Sequence, residues 1–224
     1  MHESPLAVHE ARPASRTARR LTLGAVAGPV LFTLAWFVLG FRSDGYEIEG
    51  DWIPFSPVSQ PISGLGMGAT GPYMNAAFIA GGALLTAGVI GIFRILPDGG
   101  HPWAHRACTA ALALTGAGLV LAGMFTIEDD APHFLGFALA AGTPVLTFPL
   151  TGLHLRRVPQ WRRVGTALIG AGALTLLLMI VYFASFDVSA IAADEGVAGL
   201  TSRLLAAHVH TSLATLAYLT HHRS

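Results

Sequence analysis

The stretch Arg106-ACTAALALTGAGLVLAGMFT-Ile127-Glu128-Asp129-Asp130 decides the fold. From Ala107 to Thr126 there is no charged residue, and crossing about 30 Å of hydrocarbon takes roughly 20 apolar residues. An arginine closes one end and carboxylates close the other. A soluble helix has no reason to sort charge this way. A membrane helix does, because cationic loops stay cytoplasmic while acidic loops are translocated freely.

Working outward, five more stretches read as spans: Leu21 to Phe41, about Tyr73 to Leu96, His133 to near Leu155, Val164 to Phe183, and about Leu200 to Leu219. The charges between them alternate in sign. On one side lie Arg12, Arg16, Arg19, Arg20, Arg94, Arg106, Arg156, Arg157, Arg162, Arg163 and Arg223. The other side holds only Arg42 and Arg203, with Asp44, Glu47, Glu49, Asp51, Glu128, Asp129, Asp130, Asp187, Asp194 and Glu195. The expectation is an all-α, polytopic bundle of six transmembrane helices in the plasma membrane, with both termini cytoplasmic. Residues 21–220 form its single domain and 42–72 its long outer loop.

Composition agrees. The chain is 53% hydrophobic and only 12% charged, against about 25% charged in a typical soluble domain. Net charge is zero, so no global field points to nucleic acid. Cys108 is the one cysteine, which excludes a disulfide framework and a cysteine metal cluster. It reads as a small buried hydrophobe. The first apolar stretch is too long for a signal-peptide core and lacks a small-residue cleavage site. Residues 1–20, rich in Pro, Ser, Arg and Ala, read as a disordered cytoplasmic tail.

Small residues mark contact faces in lipid, so Gly24-x-x-x-Gly28, Gly82, Gly88, Gly91, Gly116, Gly123, Gly170 and Gly172 are expected at helix crossings. Pro144 and Pro149 each remove a backbone donor and are expected to kink the fourth span.

The polar residues of the outer side are where chemistry could sit. Asp51 to Gly66 is too rich in Pro and Gly for a regular helix, and Ile62-Ser63-Gly64-Leu65-Gly66 suits a short re-entrant or interfacial turn before Tyr73 and Asn75. Trp52 and Phe55 suit the interface. Glu128-Asp129-Asp130-Ala131-Pro132-His133 has the acidic residues and proline of a helix start. The same residues offer His133 and a carboxylate as an acid–base or metal-binding pair. On the last span Arg203 and His210 share a face, whereas His208 and His210 stand about 200° apart and cannot enter one site on a regular helix. Asn75 is an interhelical hydrogen-bonding candidate. His101, His105, His154, His221 and His222 read as interfacial.

Several motifs together carry a resemblance: Ser59-Gln60-Pro61-Ile62-Ser63-Gly64-Leu65-Gly66, Gly71-Pro72-Tyr73-Met74-Asn75, Gly123-Met124-Phe125 with the acidic turn and Pro132-His133, and Gly199-Leu200-Thr201-Ser202-Arg203. The chain resembles the bacterial and archaeal family called domain of unknown function 998, integral membrane proteins with six expected spans. The resemblance implies polar or glycine positions at Ser63, Gly66, Tyr73, Asn75, His133 and Arg203, and brings no established activity. His208 and His210 depart from the pattern, standing where the family is apolar or aromatic.

Two functions remain open. One is a non-enzymatic envelope protein that binds a lipid or partner through an outer-face cluster of Ser63, Asn75, His133 and Arg203, with Arg203 paired to an acidic loop residue and no cofactor. The other is an intramembrane lipid hydrolase in which Ser63, Asp129 or Asp130, His133 and His208 gather around zinc or an activated serine, as in alkaline ceramidase relatives. The absence of H-x-x-x-H on the last span counts against it. A transporter has few buried charges to work with. No nucleotide fingerprint, P-loop or metalloprotease motif is present.

Overall fold

The computed structural model describes residues 15–48 and 50–223. The first 14 residues of the expected tail, and Glu49 of the acidic loop, lie outside that range.

Within it the tail expectation needs correcting. Arg16–Thr22 forms helix α1, because Ser15 caps it: its Oγ accepts from the Ala18 amide at 3.2 Å. Thr22 is fully buried, and its hydroxyl lies 3.2 Å from His221 Nδ1, tying the first helix to the last. At Leu23 the chain passes into α2, Gly24–Gly40. Then come a hairpin of β1 (Gly45–Ile48) and β2 (Asp51–Pro54) and two 3-10 turns, Ile62–Gly66 and Gly68–Thr70. The long helices α3 (Gly71–Ile95) and α4 (Pro102–Met124) follow.

Next are α5 (Asp130–Phe137) and α6 (Pro144–Leu155), continuous through a π turn at Ala138–Gly142. The π turn is how the chain accommodates Pro144, which has no N–H to donate. Thr143 N reaches back five residues to Ala138 O at 3.0 Å, and the Thr143 hydroxyl takes Leu139 O at 2.7 Å. The proline signal thus appears as a π turn. A 3-10 turn at Pro159–Trp161 leads to α7 (Arg162–Ser185), short α8 (Val188–Ala192) and α9 (Ala198–His222).

Five of these helical stretches are long and apolar enough to cross a membrane: Arg16–Gly40, Gly68–Ile95, Pro102–Met124, Asp130–Leu155 and Pro159–Ser185. The sequence expects a sixth. Helix α9 is 25 residues long, but Arg203, His208, His210 and its hydroxyl residues make it less apolar. One face of it packs into the bundle, with Leu205, Val209, Leu213, Leu216 and Ala217 all buried, while Leu200, Leu204 and Tyr218 on the opposite face are exposed. The face of a helix that packs on its neighbours can carry polar groups that a lipid-facing surface cannot.

The bundle closes on small residues. A Cβ on Gly88 of α3 would strike the backbone of Ala25 on α2, and one on Gly28 would strike Gly81 O. These are backbone-to-backbone approaches of the kind that replaces hydrophobic drive in lipid. Leu, Val and Phe side chains of α2 and α7, such as Leu34, Phe37, Leu177 and Ile180, face outward. Such a surface is stable only against hydrocarbon or a partner.

Candidate functional site: an outer cavity ending at a histidine

The outer loop packs as a plug on the start of α9. Gly199 N donates to Ser59 O at 3.1 Å and Leu200 N to Val58 O at 3.0 Å. Ser59 Oγ donates to Asp194 Oδ1 at 2.5 Å. Gln60 is wholly buried: its Nε2 donates to Ile191 O at 2.8 Å, and its Oε1 accepts from the Tyr46 hydroxyl at 2.7 Å. Burial pushes the Tyr46 phenol up to about 12, so at neutral pH it stays a donor.

Arg203 is 7% exposed. One guanidinium nitrogen donates to both Gln60 O and Gly199 O at 2.8 Å, and the group lies over the rings of Trp36 and Phe55 at 5.4 and 5.9 Å. Its Nε and other terminal nitrogen have no partner among the described residues. The expected pairing of Arg203 with an acidic loop residue is therefore replaced by carbonyls and ring faces. Asp194, a carboxylate of that loop, is held by Ser59.

Ser63 sits on the first 3-10 turn, behind Gln60 and Pro61. Asn75 secures that turn by donating from Nδ2 to Gly66 O at 3.1 Å. His133 lies one turn into α5, and its Nδ1 is 2.8 Å from Phe125 O. A carbonyl only accepts, so Nδ1 carries the hydrogen and, in the neutral ring, Nε2 keeps its lone pair.

Ser63 and His133 line the same two adjoining spaces. The outer one, about 240 Å³, also has Asp130 at its edge and Ile127, Phe134, Phe183 and Phe186 as walls. The inner one, about 90 Å³, runs between α2, α3, α4, the π turn and α9, past Phe32, Phe78, Leu119 and Ser202 to His210. Phe137 and Tyr182, with ring centroids 5.4 Å apart, also line both spaces.

The two histidines of α9 part company. His210 is 6% exposed, forms the floor of the inner cavity and meets the Phe32 ring edge-on at 5.2 Å. His208 turns to α7, where its Nε2 reaches Ala171 O at 2.9 Å, and lines a separate groove with Thr211, Ser212 and Thr215. It does not join Ser63 and His133. Asp129 flanks α5 without a side-chain capping bond. No hydrogen bond joins Ser63 to His133, and no three His, Cys, Asp or Glu side chains are placed to hold a metal ion, among the described residues. Sequence reasoning missed His210, Tyr182, Ser202 and Gln60. The shared face of Arg203 and His210 was the available signal for the first.

Comparison with known proteins gives one match. No curated protein and no solved structure matches the chain. The model of the family described as "Protein of unknown function (DUF998)" matches residues 26–219, which runs from α2 to near the C-terminal end of α9 and takes in every wall of the cavity. The chain, a membrane-type helical protein, belongs to that family.

Proposed function

We propose that this protein is a non-enzymatic plasma-membrane protein that binds a lipid molecule in its outer cavity. In this reading α9 is the sixth span, both termini are cytoplasmic, and the cavity opens toward the outer leaflet. The arginine sorting supports the orientation.

One observation carries the function. Two adjoining spaces with apolar and aromatic walls share Ser63 and His133, and Asp130 borders one of them. Ligand sites for apolar molecules have this composition, with a mostly hydrophobic lining and a few placed polar groups. The hydrolase alternative asks for Ser63, a carboxylate, His133 and His208 in one shell, and His208 lies in another groove.

Photoactivatable fatty acid added to membranes tests this reading. Crosslinks are expected on peptides carrying Phe137 and Tyr182, and excess unlabelled fatty acid should remove them. Labelling confined to the outward faces of α2 and α7 would overturn it. Single cysteines placed at Gly100 and Gly196 in a Cys108→Ser background check sidedness: only the second should react from outside.

A further inference from the structure

The floor of the inner cavity poses a problem that the lipid-binding reading does not by itself answer. His210 lies in the middle of α9, 6% exposed, and its Nδ1 is fully enclosed without a partner. No described residue makes a hydrogen bond to either ring nitrogen. A neutral imidazole always presents one N–H donor and one acceptor nitrogen. Leaving such groups unpaired away from water is costly. Other histidines of the bundle pair at least one ring nitrogen: His105 with Phe93 O at 2.7 Å, His133 with Phe125 O, His208 with Ala171 O, and His154, whose Nδ1 is likewise unpaired, with His105 through Nε2. His210 has only the Phe32 ring edge and the cavity.

The walls restrict what could complete it. No aspartate, glutamate or arginine lines the inner space; Asp130 borders only the outer one, and Arg203, on the same face of α9, is committed to Gln60 O, Gly199 O and the Trp36 and Phe55 rings. A phosphate or carboxylate head entering this space would be desolvated without a counter-charge. The inner space, about 90 Å³, is lined mostly by apolar side chains, which suits a flat neutral ring and not a hydrated, charged glycerophosphate head. Aromatic rings line it: Phe32 and Phe78 lie 4.7 Å apart, and Phe137 and Tyr182 5.4 Å apart. Aromatic walls favour a flat, stacked or edge-on ring.

We infer that the ligand is a lipid-tailed quinone, bound head first, with one ring carbonyl accepting from His210 Nε2–H, the ring nitrogen that is not enclosed, and the tail leaving through the Phe134, Phe183 and Phe186 vestibule. Binding alone is proposed, with no electron transfer. The inference rests on the lipid-binding reading above and deepens it.

The test uses the full chain in detergent micelles, with a decyl-substituted benzoquinone, dodecanoic acid and a lysophosphatidylcholine as probes, measured by titration calorimetry. The wild type should bind the quinone at least about tenfold more tightly than either comparison lipid. His210→Leu, which keeps bulk and apolarity, should weaken the quinone about tenfold, the scale of one lost buried hydrogen bond, and leave dodecanoic acid unchanged. Ala206→Phe, which fills the cavity from α9, should abolish quinone binding, and matched melting temperatures establish that the variants fold. Dodecanoic acid binding that Ala206→Phe removes, with quinone weaker or indifferent to His210→Leu, overturns the quinone inference and leaves the lipid reading standing. Binding of no probe, or binding indifferent to Ala206→Phe, overturns both.

Discussion

The guanidinium of Arg203 holds the main-chain carbonyl of Gln60 at 2.8 Å, across 143 residues of sequence. This bond locks the outer loop onto α9, and the same nitrogen also serves Gly199 O one turn earlier. Hydrogen bonds to charged donors contribute about 1.5–3 kcal/mol each, and losing the donor leaves a buried carbonyl unpaired. Arg203→Leu should therefore destabilise the protein by about 3 kcal/mol, read as a fall in denaturant midpoint in detergent. Arg203→Lys should recover less than half of the loss, because a point-charge ammonium cannot bond two carbonyls and lie flat over Trp36 and Phe55 together. Full recovery by lysine would show that charge alone matters there.

Two glycines with opposite surroundings test the packing. At Gly88 an added Cβ meets the backbone of Ala25, which cannot move aside; at Gly170 it meets nothing within 4 Å. Gly88→Ala should cost about 1–3 kcal/mol by forcing α2 from α3. Gly170→Ala should be neutral or stabilise by up to ~1 kcal/mol through helix propensity alone. Thermal unfolding of the pair in one detergent decides it, and equal effects would mean that the α2–α3 crossing is looser than described.

These cases show which layer of the structure the sequence carries. Long helices were legible because apolarity and arginine placement are local signals, and Gly24-x-x-x-Gly28 does meet α3. The hairpin, and the plug that Ser59 and Gln60 make on α8 and α9, were not legible. They depend on partners more than a hundred residues away, such as Asp194 and Ile191. The candidate cluster was half legible. Helical phase separated His208 from His210, but only the packing of α9 against α2 and α7 decides which of them meets the cavity. Arg203 invited an acidic partner by charge, whereas the folded loop offered carbonyls and rings.

Asp187 gives a pH dependence with a definite sign. Its carboxylate accepts from the Ser189 hydroxyl and from the Ser189 and Ala190 amides, at 2.5, 2.9 and 3.2 Å, and caps α8. The Ser189 side chain first, then the two amides, holds its pKa below the ordinary carboxylate value. A depressed pKa means the capping contribution is complete above the unfolded value of about 4 and is lost as pH falls through the lower folded value. Amide exchange at Ser189 and Ala190, corrected for intrinsic rates, should lose protection only in that acid range. Asp187→Asn should show weaker protection that no longer changes there. Because Gln60 bonds to Ile191 O of the same helix, fraying of α8 should also raise exchange at the plug.

Tyr46 gives the opposite dependence, at the alkaline end. Its neutral hydroxyl donates to Gln60 Oε1 at 2.7 Å, and burial raises its pKa from 10.0 to about 12. A phenol whose folded pKa is raised contributes stability that is complete below pH of about 10 and is lost as pH climbs toward about 12, because the unfolded chain ionises first. Ionisation would also turn the donor into an acceptor facing an acceptor. Absorbance titration near 295 nm should show a late-ionising component, and Tyr46→Phe should reduce it; the buried Tyr182 remains in both proteins. At neutral pH the same substitution leaves Gln60 Oε1 buried and unpaired, which should cost about 1–3 kcal/mol. A late component of unchanged amplitude after Tyr46→Phe would mean that Tyr46 is not part of it. An unchanged midpoint at neutral pH would mean that Gln60 is held by Ile191 O alone and the hairpin adds nothing to the plug.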